Sequence, residues 1–315
     1  MITILTEPSP KAGHRIKRSI KKWGKKILGK PDLGFSGHYA VTRSLVAGLD
    51  RLGVTYQYNP ASEKKINGHV HVLAGLDTLR YAIEQKRKGR IRRLTAGPNI
   101  VVSSVDHGGI VASKEIDRYF VNSDWTMKMY VADNPALKGR IDFFPAGIDE
   151  QFWTIEKKKG DGKRLLFYKK SAEESEYDEC LSIARKHNYN VREIIYGNYI
   201  LNDLKAALGE TDVVIFFSAS ESQGIALQEI WATDTPSMVR EFPVFEHAEK
   251  KYESSSAPYL VDKSGLFFRS SSELEELIIH NKLDISLYSP RQYVLENLTD
   301  KVCAKIFLEK IGYEA

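Results

Sequence analysis

Two glutamates, Glu221 and Glu229, stand on either side of a small polar loop that contains Gly224. The loop follows the apolar run 213–217, and a short helix-like segment begins after it at Ile225. A helix N-terminus offers unpaired backbone N–H groups and a positive dipole end, and glycine permits close backbone approach. Carboxylates accept hydrogen bonds from hydroxyl groups. The pattern therefore predicts a site for a polyol that carries a phosphate.

The elements around this loop are predicted from short β-rich runs that alternate with helix-like segments. In the first half the runs are 2–5, 54–58, 70–73, 100–104, 119–122 and 141–144. In the second half they are 165–168, 191–196, 213–217, 237–239 and 259–261. Runs that are apolar at every position suit parallel sheets with helices on both faces. This alternation indicates an α/β protein with two Rossmann-like, doubly wound parallel-sheet domains.

The domain boundary is expected near residue 150, where the turn-forming stretch 145–149 precedes the basic, Gly-containing stretch 157–163. We thus expect an N-terminal, acceptor-side domain at 1–150 and a donor domain at 151–315. The last helix is a candidate for packing back on the N-terminal domain. Ligands of open α/β sheets bind at the carboxyl ends of the strands, so we expect the site in a cleft between facing domains.

The spacing of Glu221 and Glu229 resembles the Glu-x7-Glu signature of retaining GT-B glycosyltransferases, especially glycosyltransferase family 4. Further segments resemble the same family, although Asp234 stands where glycine is usual. They are 120–125, 144–149, 233–239 and 259–268. The alternative is two solvated surface glutamates around an ordinary strand-to-helix loop.

The resemblance implies roles for the residues of the donor loop. Glu229 would bind the donor ribose, and Glu221 would hold hydroxyls of the transferred sugar near the reaction centre. The backbone N–H groups of Gly224, Ile225 and Ala226 would meet sugar and phosphate oxygens.

Two further positions of the second half match places where the family contacts the nucleotide. Lys169 and Lys170 follow the first strand of that half, and one of them would lie against the pyrophosphate. A solvated lysine pair at a strand end is the alternative. Gly197, in the sequence 196–198, stands where the family brings backbone near the nucleobase.

In the N-terminal half, the loop 34–38 resembles the glycine loop that touches the donor phosphates and the acceptor, with Gly37 as its candidate residue. The family shows paired glycines there, and Ser36 precedes Gly37 in this chain. His107, in 105–109, resembles the histidine beside the donor sugar and is the second candidate catalytic residue with Glu221. A plain helix-entry loop and a structural or surface histidine are the alternatives.

The implied reaction moves a sugar from a UDP- or GDP-type nucleotide sugar to an acceptor hydroxyl with retention. The acceptor would be a glycan, a lipid-linked molecule or a protein. The sequence contains no Asp-x-Asp triplet, which disfavours a metal-bound diphosphate, so we expect neither metal nor cofactor. A sugar phosphorylase, a nucleotide-sugar epimerase and a non-catalytic sugar-nucleotide-binding relative remain alternatives.

The charge and the cysteine content of the chain indicate its compartment and the kinds of partner that it could bind. The chain has 315 residues, a net charge of +5 and two cysteines, which suits a reducing compartment and predicts a cytoplasmic enzyme without a transmembrane helix. Nine Lys or Arg and no acidic residue occupy 11–30, with apolar residues at helical spacing. This segment either contacts an anionic membrane surface or is an ordinary helix with a solvated basic face. One basic helix does not make a nucleic-acid-binding module.

Overall fold

The computed structural model of the protein describes residues 1–6, 37–60, 66, 68–156 and 162–313. The chain divides into two compact units, one of Met1–Pro145 with Cys303–Ala315 and the other of Ala146–Val302. The sequence predicts the division near residue 150, and the structure divides the chain between residues 145 and 146. The basic segment 11–30, residues 34–36 of the first glycine loop and most of 157–163 lie outside the described residues.

In the described part of the first unit, strands and helices alternate along the chain. The strands are β1 (Ile2–Leu5), β2 (Tyr56–Tyr58), β3 (Gly68–Ala74), β4 (Ile91–Asn99), β5 (Arg118–Val121) and β6 (Ile141–Phe143). The helices are α1 (Gly37–Arg51), α2 (Leu76–Arg87) and α3 (Asp124–Asp133), with 3-10 turns at Ile110–Ala112 and Pro135–Leu137.

These strands form a parallel sheet in the order β2-β1-β3-β4-β5-β6. In β1, Ile2 pairs with Tyr56 on one side and with His69 on the other. Every residue of β1 is buried, as is the centre of β3. Such continuous burial is typical of a parallel sheet covered on both faces, and it explains why these strands carry apolar runs rather than an alternating pattern.

The second unit repeats the alternation. Its strands are β7 (Arg164–Lys169), β8 (Asn190–Ile195), β9 (Val213–Phe217), β10 (Ser237–Arg240), β11 (Val244–His247), β12 (Lys250–Glu253) and β13 (Gly265–Phe268). Its helices are α4 (Glu174–Lys186), α5 (Leu201–Gly209), α6 (Ile225–Ala232), α7 (Ser271–Ile279) and α8 (Pro290–Asn297), with a 3-10 turn at Ile285–Leu287. The last helix, α9 (Asp300–Lys310), begins in this unit and continues into the first.

The main sheet of the second unit is parallel, in the order β13-β10-β9-β7-β8. Strand β9 lies at its centre and is buried at every position. The ring of Phe217 packs 6.2 Å from that of Phe167 and 5.7 Å from that of Phe268. Because all five strands run the same way, the segments that follow β7, β8 and β9 meet at one edge of the sheet.

Residues 146–148, which we call the crossover segment, are the first residues of the second unit. They pair with residues 298–300, which lie near the end of the same unit. The N–H of Ile148 donates to the carbonyl of Leu298 at 2.8 Å, and the N–H of Asp300 donates to the carbonyl of Ile148 at 3.1 Å. Between these bonds the backbones approach closely, since a Cβ on Gly147 would lie 2.4 Å from the Cα of Asp300. Glycine is therefore required at 147.

The C-terminal part of α9 packs on the sheet of the first unit. The ring of Phe307 lies 4.7 Å from that of His71 and 5.0 Å from that of Phe144. Lys310, at the end of α9, forms an ion pair with Asp142 in β6. An apolar contact and a charged contact thus hold this helix in the first unit.

One predicted strand of the first unit is wrong. Residues 100–104 form a turn, and the strand of this region is β4, which ends at Asn99. The apolar residues at 100–102 suggest a strand, but Ser103 donates to Asp133 at 2.7 Å and Ser104 donates to the carbonyl of Tyr130 at 2.7 Å. These local bonds favour a turn, because serine side chains compete with the backbone for hydrogen-bond partners.

In the second unit the predicted strand 259–261 is also wrong. The hydroxyl of Ser264 accepts from the N–H of Val261 at 3.1 Å, and this turn precedes the real strand, β13. The antiparallel hairpin of β11 and β12 is not predicted at all. Its turn places Ala248 and Glu249 in the left-handed region, at φ 48° and 65°, where Gly, Asn or Asp is the usual residue.

Candidate functional site

The donor loop, residues 218–224, connects β9 to α6. The structure confirms the predicted order of buried strand, polar loop and helix. Gly224 precedes the helix at φ 80° and ψ 49°, a left-handed conformation that glycine adopts without strain. The N–H groups of Ile225 and Ala226 belong to the first turn of α6, where a helix has no internal partner for them.

Glu221 lies in the donor loop with its side chain 12% exposed. Its carboxylate accepts from the ammonium of Lys170 at 2.6 Å and from the hydroxyl of Ser218 at 2.5 Å. Its backbone N–H donates to the carbonyl of Ser255 at 2.9 Å. The ammonium and the hydroxyl both bind Oε1 of Glu221, which fixes the position of the carboxylate in the loop.

Lys169 and Lys170 follow one another at the end of β7, but their ammonium groups have different partners. Lys169 binds Glu174 at 2.5 Å and lies 4.4 Å from the centre of the Tyr177 ring. Lys170 binds Glu221. Successive side chains of a strand point to opposite faces, which explains the separation. Of the two predicted lysines, only Lys170 is brought to the donor loop.

Glu229 lies in α6 and is partly buried. Its charge acts on two phenols, Tyr168 and Tyr199, whose oxygens share a 2.6 Å hydrogen bond. Burial, with the charge of Glu229 as a lesser cause, raises the pKa of Tyr199 to about 12 and raises the pKa of Tyr168 further. Both phenols therefore remain protonated, and one of them donates to the other.

Gly197 lies in the turn that follows β8, beside β7 in the sheet. It has a φ of 85°, and a Cβ there would meet no atom within 4 Å. The neighbouring Tyr196 is 47% exposed, and the ammonium of Lys170 lies 5.2 Å from its ring centre. The turn after β8 thus joins Lys170 and the donor loop at the carboxyl edge of the sheet.

Two groups of residues in and near the donor loop are not predicted from the sequence. One is the pair Gln223 and Gln228, which are 2% and 0% exposed and bind each other at 2.8 Å. The other is the serine run 254–256, from which Ser254 shares a 2.9 Å hydrogen bond with Ser220. The only signal for these groups is polar residues beside an apolar helix and strand, and that pattern also describes ordinary surface residues.

In the first unit, His107 lies in a short turn, Asp106–Gly109, that follows β4. Its side chain is exposed, and its backbone has a φ of 53°. The carboxylate of Asp106 accepts from the N–H of Ser103 at 2.8 Å and so braces the start of the turn. A non-glycine residue in the left-handed region costs about 1–2 kcal/mol, and such strain clusters at functional sites.

Gly37, the other candidate of the first unit, is the first residue of α1. One face of this helix packs in the core through Leu45 and Leu49, which are 3% and 0% exposed. Gly37 and His107 both belong to the first unit, whereas Lys170, Gly197 and the donor loop belong to the second.

Two histidines of β3, one fully buried and one partly buried, are not among the residues predicted from the sequence. His71 is fully buried beside Phe307, and burial lowers its pKa from 6.5 to about 3. Burial also lowers the pKa of His69 to about 4, and both rings lie within hydrogen-bond distance of the hydroxyl of Thr95. Both histidines remain neutral at physiological pH, and His71 belongs to the core of the first unit.

Within the described ranges, no three His, Cys, Asp or Glu side chains are grouped so that they could hold a metal ion. The independence of metal stays a prediction. Among the helices of the same ranges, none is both long and apolar enough to cross a membrane.

Comparison with known proteins finds likeness in structure and not in sequence. No family model matches the chain, and no curated protein matches it. Anabaena HepE, solved with UDP and glucose, is 9% identical, with 100% of both chains covered and a TM-score of 0.58. The lipopolysaccharide outer core galactosyltransferase WaaB, in its apo form, is 11% identical, with 99% of both chains covered and a TM-score of 0.58.

Sucrose-phosphate synthase from Thermosynechococcus elongatus is 11% identical, with 100% of both chains covered and a TM-score of 0.57. These neighbours are GT-B glycosyltransferases. Their likeness over the whole chain, together with the two parallel-sheet α/β units, shows that the protein has the GT-B fold.

Proposed function

We propose that the protein is a glycosyltransferase that moves a sugar from a nucleotide-diphosphate sugar to an acceptor hydroxyl. The observation that carries this proposal is the pair of Lys170 and Glu221 at the carboxyl edge of the second sheet, next to the N-terminus of α6. A cation, a helix N-terminus and a paired carboxylate meet there. Together they can bind a diphosphate and a polyol in one molecule.

The diphosphate is the part of the donor on which negative charge grows as the glycosidic bond breaks. Lys170 and the N–H groups of Gly224, Ile225 and Ala226 would bind its oxygens. These donors are held in place before the reaction. Preorganised donors lower the barrier more than water does, because water must reorganise around the developing charge. Lys169 pairs with Glu174 and not with a residue of the donor loop, so it has no part in this proposal.

The two glutamates would bind the hydroxyl groups on either side of the diphosphate. Glu229 would accept from the ribose diol, because one carboxylate has two oxygens for two neighbouring hydroxyls. Glu221 would hold hydroxyls of the transferred sugar. The turn at Gly197 would lie near the nucleobase. A UDP sugar is the first donor to test, since the neighbour HepE was solved with UDP and glucose.

The reaction would proceed with retention and without a metal, as in the family 4 enzymes that the chain resembles. The bond between the anomeric carbon and the phosphate oxygen breaks, and the acceptor oxygen bonds to the same face of that carbon. The acceptor proton passes to the leaving phosphate. His107 and Gly37, in the first unit, would contribute to the sugar and phosphate contacts. No cofactor is needed besides the donor.

The acceptor would be a glycan, a lipid-linked molecule or a protein in the cytoplasm, with the basic segment 11–30 as a candidate for contact with a membrane surface. Flotation with anionic liposomes tests this contact by comparing the native chain with one whose basic residues at 11–30 are neutralised. Equal flotation of the two chains would contradict it.

A thermal-shift series with UDP, GDP, ADP, CDP and dTDP sugars tests the proposed function. We expect one nucleotide class to raise the melting temperature, and we expect Glu221→Gln to lower the rate of sugar transfer while keeping the nucleotide-dependent shift. Product analysis with and without an acceptor separates transfer from epimerisation and phosphorolysis. Nucleotide binding without turnover in the native protein would point to a non-catalytic relative. No shift with any nucleotide would contradict the proposal.

A further inference from the structure

The side-chain amide of Gln223 binds both polar groups of one peptide residue, Ala146. Its oxygen accepts from the N–H of Ala146 at 2.9 Å, and its nitrogen donates to the carbonyl of Ala146 at 2.7 Å. The same nitrogen donates to the side chain of Gln228 at 2.8 Å. Gln223 and Ala146 are both 2% exposed, so water does not compete for these bonds.

The two ends of this contact have different places in the chain. Gln223 lies in the donor loop, two positions after Glu221 and immediately before Gly224. Ala146 begins the crossover segment, directly after Pro145, where the first unit ends. The amide therefore joins the loop proposed to hold the donor to the peptide at which the chain enters the second unit.

The crossover segment has little freedom to absorb a shift of this contact. Ile148 pairs with Leu298 and Asp300 on its other side, and Gly147 lies against the backbone of Asp300. A movement of the donor loop must then either break the bonds of Gln223 in a dry environment or displace the crossover segment. A buried amide that loses its hydrogen-bond partners costs free energy, so movement of the donor loop together with the crossover segment is favoured.

We infer that Gln223 is a positioning residue that couples the donor loop to the crossover segment. This role rests on the proposed function, because the donor is what would act on the loop. Binding of a nucleotide orders residues 218–224, and Gln223 passes that order to Ala146. In turn, the loop holds Glu221 and Gly224 in the positions that bind the donor only while the crossover segment keeps its present position.

Hydrogen exchange of the native chain, with UDP and with GDP as probes, tests the coupling without any substitution. Peptides that cover the donor loop report nucleotide binding. Overlapping peptides across residues 144–150 differ by single amides and so isolate that of Ala146, and Pro145 adds no N–H of its own. We expect the nucleotide that protects the loop to slow exchange at Ala146 as well. Protection of the loop without any change at Ala146 would overturn the inference while leaving the proposed function intact.

The variant Gln223→Met keeps the length of the side chain and removes its hydrogen bonds. Gln228→Met is the matched control, since Gln228 is equally buried and binds Gln223 but not Ala146. In Gln223→Met we expect the nucleotide to protect the loop and no longer to protect Ala146, with kcat about tenfold lower and the donor KM changed less. In Gln228→Met the coupling and kcat are retained.

Three other results have distinct meanings. Equal loss of the coupling in both variants would assign the effect to general loosening of the core and overturn the inference. A lower melting temperature in Gln223→Met with unchanged kcat and unchanged coupling would do the same, because it indicates a purely structural amide. Absence of loop protection with every nucleotide in the native chain would overturn the proposed function and, with it, this role for Gln223.

Discussion

The ammonium of Lys170, the residue that follows β7, lies 2.6 Å from a carboxylate oxygen of Glu221 in the donor loop. The adjacent Lys169 has the same charge and belongs to a different ion pair, with Glu174. The two lysines thus form an internal comparison between a cation at the proposed donor site and one beside it.

Replacement of these lysines distinguishes the two positions. We expect Lys170→Met to lower kcat/KM for the donor by about 10- to 100-fold, or about 1.4–2.7 kcal/mol, because a charge-assisted contact to the diphosphate is lost. Lys169→Met is the control and should leave kcat/KM within about twofold. Steady-state kinetics with varied nucleotide sugar provides the measurement. Equal losses in both variants would contradict the assignment of Lys170.

Replacement of each of the two glutamates by glutamine should impair a different step, nucleotide binding for Glu229 and turnover for Glu221. Glu229→Gln should weaken binding of the free nucleotide by about tenfold, because a neutral amide accepts ribose hydroxyls less strongly than a carboxylate. Glu221→Gln should leave nucleotide binding nearly unchanged and lower turnover, since its proposed partner is the sugar. Calorimetric titration with the nucleotide, beside activity assays, separates the two. A loss of nucleotide binding in Glu221→Gln alone would reverse the assigned roles.

Gly224 should be sensitive for reasons of backbone conformation rather than space. An added Cβ would lie 3.6 Å from Leu227 and 3.8 Å from Glu221, which are ordinary contacts, but the residue keeps a φ of 80°. Gly224→Ala should therefore cost about 1 kcal/mol of stability and also weaken nucleotide binding. Gly89→Ala, at φ 72° in open space, is the matched control. It should lower stability in the same way without affecting nucleotide binding.

The sequence predicts the fold and the donor loop better than the details of the site. Strand β9 is predicted because all five of its residues are apolar, and α6 because Gly224 precedes an apolar segment. Strand β4 is missed because Arg92, Arg93 and Pro98 interrupt its apolar pattern. Such interruptions are tolerated where tertiary contacts override local preference.

The partners of the site residues depend on distant parts of the chain. Lys170 meets Glu221 only because β7 and β9 are neighbours in the sheet, although β8 lies between them in the sequence. Gln223 reaches Ala146 across 77 positions. The spacing of residues along the chain does not indicate such pairs. The choice between Lys169 and Lys170, and the role of Gln223, can therefore be inferred only from the structure.

The burial of His71 predicts that the stability of the protein depends on pH. The folded pKa of His71, about 3, is lower than its ordinary value of 6.5. Between these values the unfolded chain binds more protons, so the free energy of unfolding decreases as the pH falls from 6.5 toward 3. For one such histidine the slope approaches about 1.4 kcal/mol per pH unit. The first unit should therefore be most stable above pH 6.5 with respect to this group.

Urea unfolding at about pH 7.5 and about pH 5 measures this dependence. His71→Leu removes the titrating ring from the aromatic surroundings of Phe307 and should reduce the difference between the two midpoints. His280→Gln is the control, because its side chain is 62% exposed. It should leave the difference as in the native protein. An unchanged difference in His71→Leu would show that another group causes the acid sensitivity.

His107 should separate stability from activity. Its φ of 53° is strained for histidine and easy for glycine, so His107→Gly relieves strain while increasing the freedom of the unfolded chain. These effects oppose one another, and we expect stability to change by less than about 1 kcal/mol. Turnover should nevertheless fall about 100-fold if the imidazole meets the donor sugar, with nucleotide affinity retained. His107→Asn, which tolerates the same backbone, should fold equally well and be equally impaired, whereas full activity in both variants would make His107 a surface residue.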